Sequence, residues 1–155
     1  MAAEQQQQAG QPGFVSPELD RMSCDMIDEF LFSLSEGEDP GVVACIEDAE
    51  GNRAAVAFSE DGDEVCLEAA GTFVSDAAKN GSPEDSVGRA VRYAILYLGC
   101  VQGMDGAYND ALITIFGESG APSAYSAFTL VKGIGQGENF MWSEPEPAGE
   151  EPLLV

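Results

Sequence analysis

The sequence predicts an α+β protein with an N-terminal helix, a three-stranded antiparallel meander, a long central helix, and one or two further strands or helices. Two Ser-Pro pairs each precede an apolar spacing of helical period, and short β-branched runs separated by turn residues lie between them. We expect a single acidic α+β domain over residues 16–142, because 155 residues suffice to bury one core. Residues 1–15 are predicted to be a disordered N-terminal tail and residues 143–155 a flexible acidic C-terminal tail.

The first helix is predicted to begin at Pro17. Ser16 suits the N-cap, Pro17 suits the first helical position, and Glu18 places negative charge in the first turn. Helical spacing then puts six apolar residues on one stripe: Leu19, Met22, Met26, Ile27, Phe30 and Leu34. Acidic residues lie on the opposite side, and residues 36–40 end the helix.

The meander is predicted from three short runs. Residues 42–47 and 53–59 are β-branched or small and apolar, and Gly51-Asn52 between them suits a hairpin turn. A second turn at residues 60–63 leads into residues 64–69, where acidic and apolar positions alternate as in a strand with one wet face. Residues 72–80 then predict a short helix that ends at Gly81.

The long central helix is predicted from Ser82-Pro83-Glu84-Asp85, which repeats the capping pattern, and from apolar residues that keep helical spacing to Val101. We expect this helix to reach Gln102. The signals conflict in residues 105–135, where residues 111–116 and 125–134 suit either a strand or a helix. We favour strands there because Ile, Thr and Val are frequent.

Acidic residues are concentrated in the first half of the chain. Of a net charge of −22, residues 17–85 contribute nineteen acids against three bases, whereas residues 86–137 hold three of each. Nucleic acid and anionic membranes bind proteins through Lys and Arg. We therefore expect no direct binding to either, and instead predict basic protein partners that associate in a salt-sensitive manner.

The chain offers few signals for a compartment or for a metal. It begins without the basic start and apolar stretch of a signal peptide, and its longest nearly uninterrupted apolar run, residues 94–101, is far shorter than the about 20 residues that cross a bilayer. We therefore expect a cytoplasmic protein.

The four cysteines form no CxxC pair and the chain has no histidine, so we predict reduced thiols and no metal site.

Motifs that could carry chemistry are incomplete. The absence of histidine removes Ser-His-Asp and Cys-His catalysis. Asp48, Glu50 and Asn52 have the spacing of the first three ligands of a calcium loop. Arg53 stands where the tight-turn glycine belongs, so a hairpin turn is the better interpretation. Residues 132–137, Lys-Gly-Ile-Gly-Gln-Gly, lack the order of a phosphate-binding loop. We predict no catalytic residue and no cofactor.

The acidic stripe of the first helix and the acidic turns after it are the remaining constellation. The solubility of a small domain needs a net charge of only about 2–8 in magnitude, and the value here exceeds that range. We therefore predict a non-enzymatic interaction protein that binds a basic surface of a partner. In its sharpest form it is a nucleic-acid mimic that inhibits a DNA- or RNA-binding effector such as a defence nuclease. The predicted partner-binding residues are Glu18, Asp25, Asp28, Glu29, Glu36, Asp48, Glu50, Asp61, Asp63 and Glu64.

Three alternative hypotheses are compatible with the same residues. An acidic chaperone or adaptor would bind a protein segment through an apolar groove, with Phe32 and the C-terminal Leu153-Leu154-Val155 contributing, and a homodimer would be compatible with it. A carboxylate-based hydrolase would need two carboxylates about 5–10 Å apart. In the third hypothesis, the acidity reflects a high-salt cytosol or solubility alone.

Overall fold

A computed structural model describes residues 15–155, which form two helices and seven strands. The helices are α1, Pro17–Ser35, and α2, Asp63–Asn80. The strands are β1, Val42–Asp48; β2, Arg53–Phe58; β3, Ala90–Gln102; β4, Tyr108–Glu118; β5, Ala124–Lys132; β6, Met141–Trp142; and β7, Glu146–Glu151. Short 3-10 turns occupy Pro83–Asp85 and Gly137–Asn139.

The strands form one antiparallel sheet, which is curled into a half-barrel. The strand order is β2-β1-β3-β4-β5, and β6 and β7 both pair with β5. The centre of the sheet is formed by β3 with 13 residues and β4 with 11 residues. These strands belong to residues 86–137, where acids and bases are equal in number, so the centre of the sheet has no net charge.

The two helices cover opposite faces of this sheet. Successive side chains of a strand point to opposite faces, and the two apolar clusters of the protein follow this alternation. The cluster around α1 takes from the sheet Cys45, Ala94, Leu96, Leu112 and Val131. The cluster around α2 takes from the sheet Val42, Ala44, Ile46, Tyr93, Ile95 and Ala124. The outer sides of α1 and α2 therefore belong to two separate surfaces of the protein, one on each side of the sheet.

The predicted architecture is wrong, because the chain forms two helices and a seven-stranded sheet and, within residues 15–155, has neither the predicted three-stranded meander nor the predicted long central helix. The first difference is the predicted third strand of the meander. Residues 64–69 lie in α2, whose buried positions are Cys66, Ala70, Val74 and Ala77. That helical spacing extends well beyond the six residues that alternate, and the predicted turn at residues 60–63 leads into the start of the helix. Val65, which the strand prediction buries, is 55% exposed. The alternation was therefore too short to distinguish a strand from a helix.

The predicted long central helix is also wrong, because its residues form β3. Ser82-Pro83-Glu84-Asp85 makes a single 3-10 turn, in which Ser82 Oγ donates a hydrogen bond of 2.7 Å to Asp85 Oδ2. Every residue from Arg92 to Leu96 is buried, since α1 covers one face of β3 and α2 the other. A strand buried on both faces has a continuous apolar run without alternation, which resembles a buried helix in sequence.

Part of the predicted C-terminal tail lies in strand β7, Glu146–Glu151. Strand β7 pairs with β5, and Leu153, Leu154 and Val155 pack against the α2 cluster. The expectation for residues 1–14 lies outside the described residues. The predicted first helix and the β1–β2 hairpin are confirmed, and the preference for strands at residues 111–116 and 125–134 agrees with β4 and β5.

Candidate binding surface

The outer side of α1 carries five of the predicted partner-binding residues. We call these residues the α1 acidic face: Glu18, Asp25, Asp28, Glu29 and Glu36. All five are exposed, because α1 buries the opposite stripe that begins with Leu19 and Met22. Glu18 and Glu36 are separated by about 27 Å at about 1.5 Å per residue. The same side of the helix also carries Arg21, which is the only base in α1.

A ladder of alternating charges crosses four strands beneath α1. Glu47 of β1 lies between Arg53 of β2 and Arg92 of β3 in the register of the sheet, and Arg92 lies opposite Glu118 of β4. Glu47 accepts hydrogen bonds from both arginines, and Arg92 Nε donates to Glu118 Oε2 at 3.0 Å. The side chains of Glu47 and Arg92 are only 7% and 10% exposed. Two of the six bases, Arg53 and Arg92, are therefore paired with acids of the same chain.

The charge ladder also fixes α1 at two points. Ser16 Oγ accepts a hydrogen bond from Leu19 N and donates one of 3.0 Å to Glu118 Oε2, which links the start of the helix to β4. Arg53 Nη1 donates to Asp25 Oδ2 at 3.1 Å, which links the middle of the helix to β2. The ladder was not predicted, because Arg92 meets Glu47 only through the pairing of β1 with β3, and the two residues are 45 positions apart in sequence.

Asp25 is thus the only member of the α1 acidic face with an ion pair among residues 15–155. The Asp25 side chain is 49% exposed, and an ion pair exposed to that extent contributes about 0–1 kcal/mol. The other four carboxylates face solvent without a cationic partner in the described part of the chain. They are the residues available to a basic surface.

Asp48 was predicted to bind a partner but is 4% exposed. Its Oδ1 accepts hydrogen bonds of 2.9 Å from Glu50 N and Asn52 N, and its Oδ2 accepts from Asn52 Nδ2 at 2.9 Å and Gly88 N at 2.8 Å. Burial raises the pKa of Asp48, but these hydrogen bonds to the carboxylate outweigh burial and lower the pKa to about 2. Asp48 therefore holds the β1–β2 turn and the segment before β3 together.

We expect the Asp48→Asn variant to unfold at neutral pH with a free energy about 2 kcal/mol below that of the wild type, because an amide cannot accept from all four donors. The folded pKa lies below the unfolded value of about 3.9. The contribution of Asp48 is therefore fully present above pH about 4 and is lost as the pH falls toward 2. Urea unfolding at several pH values measures this.

Glu50→Gln is the matched control, because Glu50 is exposed in the same turn. We expect its free energy of unfolding to stay within about 0.5 kcal/mol of the wild type at each pH. A difference between Asp48→Asn and wild type that is the same at pH about 2 and pH about 7 would contradict the assigned role of the carboxylate.

The remaining predicted residues do not join the α1 acidic face. Asp61, Asp63 and Glu64 are exposed at the beginning of α2, on the other side of the sheet, and Glu50 is exposed in the β1–β2 turn. The prediction identified exposed acids but could not place them in space. The structure therefore divides the ten residues into an α1 group, an α2 group, a turn residue and the buried Asp48.

The two motifs that resembled ligand-binding loops have structural roles. The carboxylate of Asp48, first in the calcium-like spacing, is occupied by the four N–H donors. In the glycine-rich segment 132–137, Gly135 has a φ of +82° and donates its N–H to Leu34 O at 2.8 Å. This segment closes the C-terminal end of α1 with backbone that only glycine adopts easily. No group of three or more Cys, Asp or Glu residues within residues 15–155 has the geometry to hold a metal ion.

The cysteines divide into two core thiols and two surface thiols. Cys45 and Cys66 are buried, whereas Cys24 and Cys100 are exposed. Burial raises the pKa of Cys45 to about 12, so this thiol acts as a small apolar side chain. Partial burial and the nearby carboxylates, of which Asp20 has the largest effect, raise the pKa of Cys24. Neither thiol has the lowered pKa of a nucleophilic cysteine.

An apolar groove adjoins the α1 acidic face at its C-terminal half. We call it the aromatic groove; its volume is about 420 Å³ and its walls include Leu31, Phe32, Phe140 and Trp142. Phe32 is 68% and Trp142 60% exposed. Asp28 of the α1 acidic face also lines the groove, so the two features share a residue. The chaperone hypothesis singled out Phe32 from the sequence, but nothing in the sequence placed Trp142 beside it.

No protein-family profile matches this chain, and neither curated proteins nor solved structures show significant similarity to it. Within residues 15–155, neither helix combines the length and the apolar composition of a membrane-crossing segment. The function is therefore inferred from the geometry and charge of the chain's own residues.

Proposed function

We propose that this protein is a non-enzymatic interaction protein whose α1 acidic face binds a basic surface of a partner protein. One observation carries the proposal: four carboxylates are exposed along α1 and form no ion pair among residues 15–155, while the two ion-paired arginines are held in the charge ladder. Residues 15–155 contain 27 acids against six bases. A field of this sign attracts Lys and Arg and repels nucleic acid and anionic lipid.

The spacing of the carboxylates supports a nucleic-acid mimic of a particular kind. The four carboxylates without an ion pair extend over about 27 Å, which corresponds to about one charge per 7 Å. One strand of DNA carries a phosphate per about 3.4 Å, and both strands together carry one per about 1.7 Å. The α1 acidic face thus has about half the charge density of one strand and falls well below that of a duplex. The basic surface we propose is a track that follows one phosphate backbone.

A displacement experiment tests this function. The immobilised protein is used to capture proteins from a lysate of its source at about 50 mM NaCl, and captured proteins are eluted with salt. Each purified candidate is then bound to fluorescently labelled DNA or RNA, and the acidic protein is titrated in while fluorescence anisotropy is recorded. We expect the nucleic acid to be displaced, with an affinity that falls at least about tenfold between about 50 and 500 mM NaCl.

Two results would contradict the proposal. If the captured protein keeps its nucleic acid when the acidic protein is in excess, the α1 acidic face does not compete for a phosphate-binding track. If the affinity is the same at low and high salt, the contact does not depend on exposed carboxylates.

A further inference from the structure

We propose that the aromatic groove and the α1 acidic face form one site, which binds a basic protein segment that also carries an apolar anchor. In this site the apolar side chain enters the groove, and flanking Lys or Arg residues face Asp28 and Glu138. This inference rests on the proposed function and specifies the chemistry of the partner segment.

The walls of the groove have the composition of an anchoring site. Trp142 stacks on Phe140 with ring centroids 5.8 Å apart and an angle of 28° between the rings. Phe140 and Leu31 are buried beneath, whereas Phe32 and Trp142 stand on the two sides with most of their surface exposed. Exposed aromatic side chains around a concavity are typical of sites that bind an apolar side chain of a partner.

The rim of the groove favours positive charge. Asp28 comes from α1 and Glu138 from the 3-10 turn before β6, and no Lys or Arg is among the residues that line the groove. Lys132 is close in the sheet, but its register partner is Met141, so its side chain lies on the opposite face from Trp142. The exposed ring of Trp142 also offers a surface for a cation.

Hydrogen bonds of main-chain N–H groups hold the groove on both sides. Gly135 N donates to Leu34 O at 2.8 Å, which ties the glycine-rich segment to the end of α1. Leu130 N donates to Ser143 Oγ at 2.9 Å, and Ser143 N donates to Leu130 O at 2.9 Å, which fix the chain directly after Trp142. A groove formed in advance binds a segment with less ordering cost.

The charge of the rim also indicates whether a different protein or a second copy of this chain occupies the aromatic groove. A homodimer through the groove would bring two chains of net charge −22 together at a rim that is itself acidic. Like charges at an interface oppose association. A basic segment relieves the repulsion at the same rim, so it is the occupant that we infer.

The fluorescence of Trp142 reports on binding in the groove, because Trp142 is the only tryptophan of the chain. The probes are two acetylated peptides of equal charge, Lys-Lys-Gly-Leu-Gly-Lys-Lys and Lys-Lys-Gly-Ser-Gly-Lys-Lys, titrated at low salt. We expect the Leu peptide to bind about tenfold more tightly and to shift the Trp142 emission to the blue, because the leucine side chain leaves water. We expect Phe32→Ser to reduce this preference to below about twofold and Phe32→Leu to retain it.

Val65→Ser is the matched control, since Val65 is an exposed apolar residue on α2 and should leave the preference unchanged. Equal binding of both peptides with an unmoved Trp142 emission would overturn this inference and leave the proposed function standing. Failure of both peptides to bind at low salt would overturn the two together. A blue shift on raising the protein concentration alone, with a dimer in sedimentation, would assign the groove to a second copy and overturn the inference.

Discussion

Replacing Arg92 with methionine is expected to lower the free energy of unfolding by about 3–5 kcal/mol. The guanidinium of Arg92 lies between Glu47 and Glu118, and its removal leaves Glu47 buried with only Arg53 beside it. A buried charge that loses its partner keeps the cost of desolvation without the compensating attraction. Urea unfolding at neutral pH, followed by circular dichroism, measures the change.

Arg89→Met is the matched control for this variant. Arg89 is exposed and three residues away, and it has no ion pair among the described residues. Both variants remove one positive charge from an already acidic protein, so the difference between them reports on the ladder alone. We expect Arg89→Met to change the free energy of unfolding by less than about 0.5 kcal/mol. Equal losses in the free energy of unfolding of the two variants would show that the charge ladder does not stabilise the fold.

A combined variant distinguishes the loss of the ion pairs of Arg92 from the cost of burying carboxylates that no longer pair with it. Adding Glu47→Gln and Glu118→Gln to Arg92→Met removes both carboxylates that pair with Arg92. We expect the triple variant to recover about half of the lost stability, because neutral amides are cheaper to bury than charges. No recovery would mean that Arg92 stabilises the sheet through packing and not through its charge.

The parts of the fold that could be predicted are those with strong local signals. Helix α1 has a capped start and an apolar stripe that continues for more than four turns, and five of the six stripe residues are buried. The β1–β2 hairpin has a turn that its own residues determine. Strand β3 lacks such a signal, because α1 and α2 cover its two faces and remove the alternation that identifies a strand.

The candidate site could be predicted only as a set of residue types. Helical spacing correctly predicted that the carboxylates of the α1 acidic face are exposed. The separation of Asp63 and Glu64 from α1 depends on which face of the sheet each helix covers, and helical spacing does not contain that information. The burial of Asp48 depends on Gly88, forty residues later. The charge ladder depends on the register of four strands. No local window contains that information.

Reversing three carboxylates of the α1 acidic face is expected to weaken binding to the basic partner by at least about 100-fold. The variant is Glu18→Lys, Glu29→Lys and Glu36→Lys, whose positions fall within about 20° of one another around the helix. Asp25 is left unchanged because its pair with Arg53 helps to hold α1 on the sheet. Isothermal titration against the partner recovered by salt elution measures the affinity.

The matched control reverses three exposed acids of α2 with Glu64→Lys, Glu68→Lys and Asp76→Lys. Both variants move the net charge from −22 to −16, and each changes one acid in the first turn of its helix. They differ in the face of the sheet on which the charge is reversed. Because charges beyond about 8 Å are screened at physiological salt, the α2 variant should lose less than about tenfold in affinity. Equal losses would mean that the partner senses total charge and that α1 is not the binding surface.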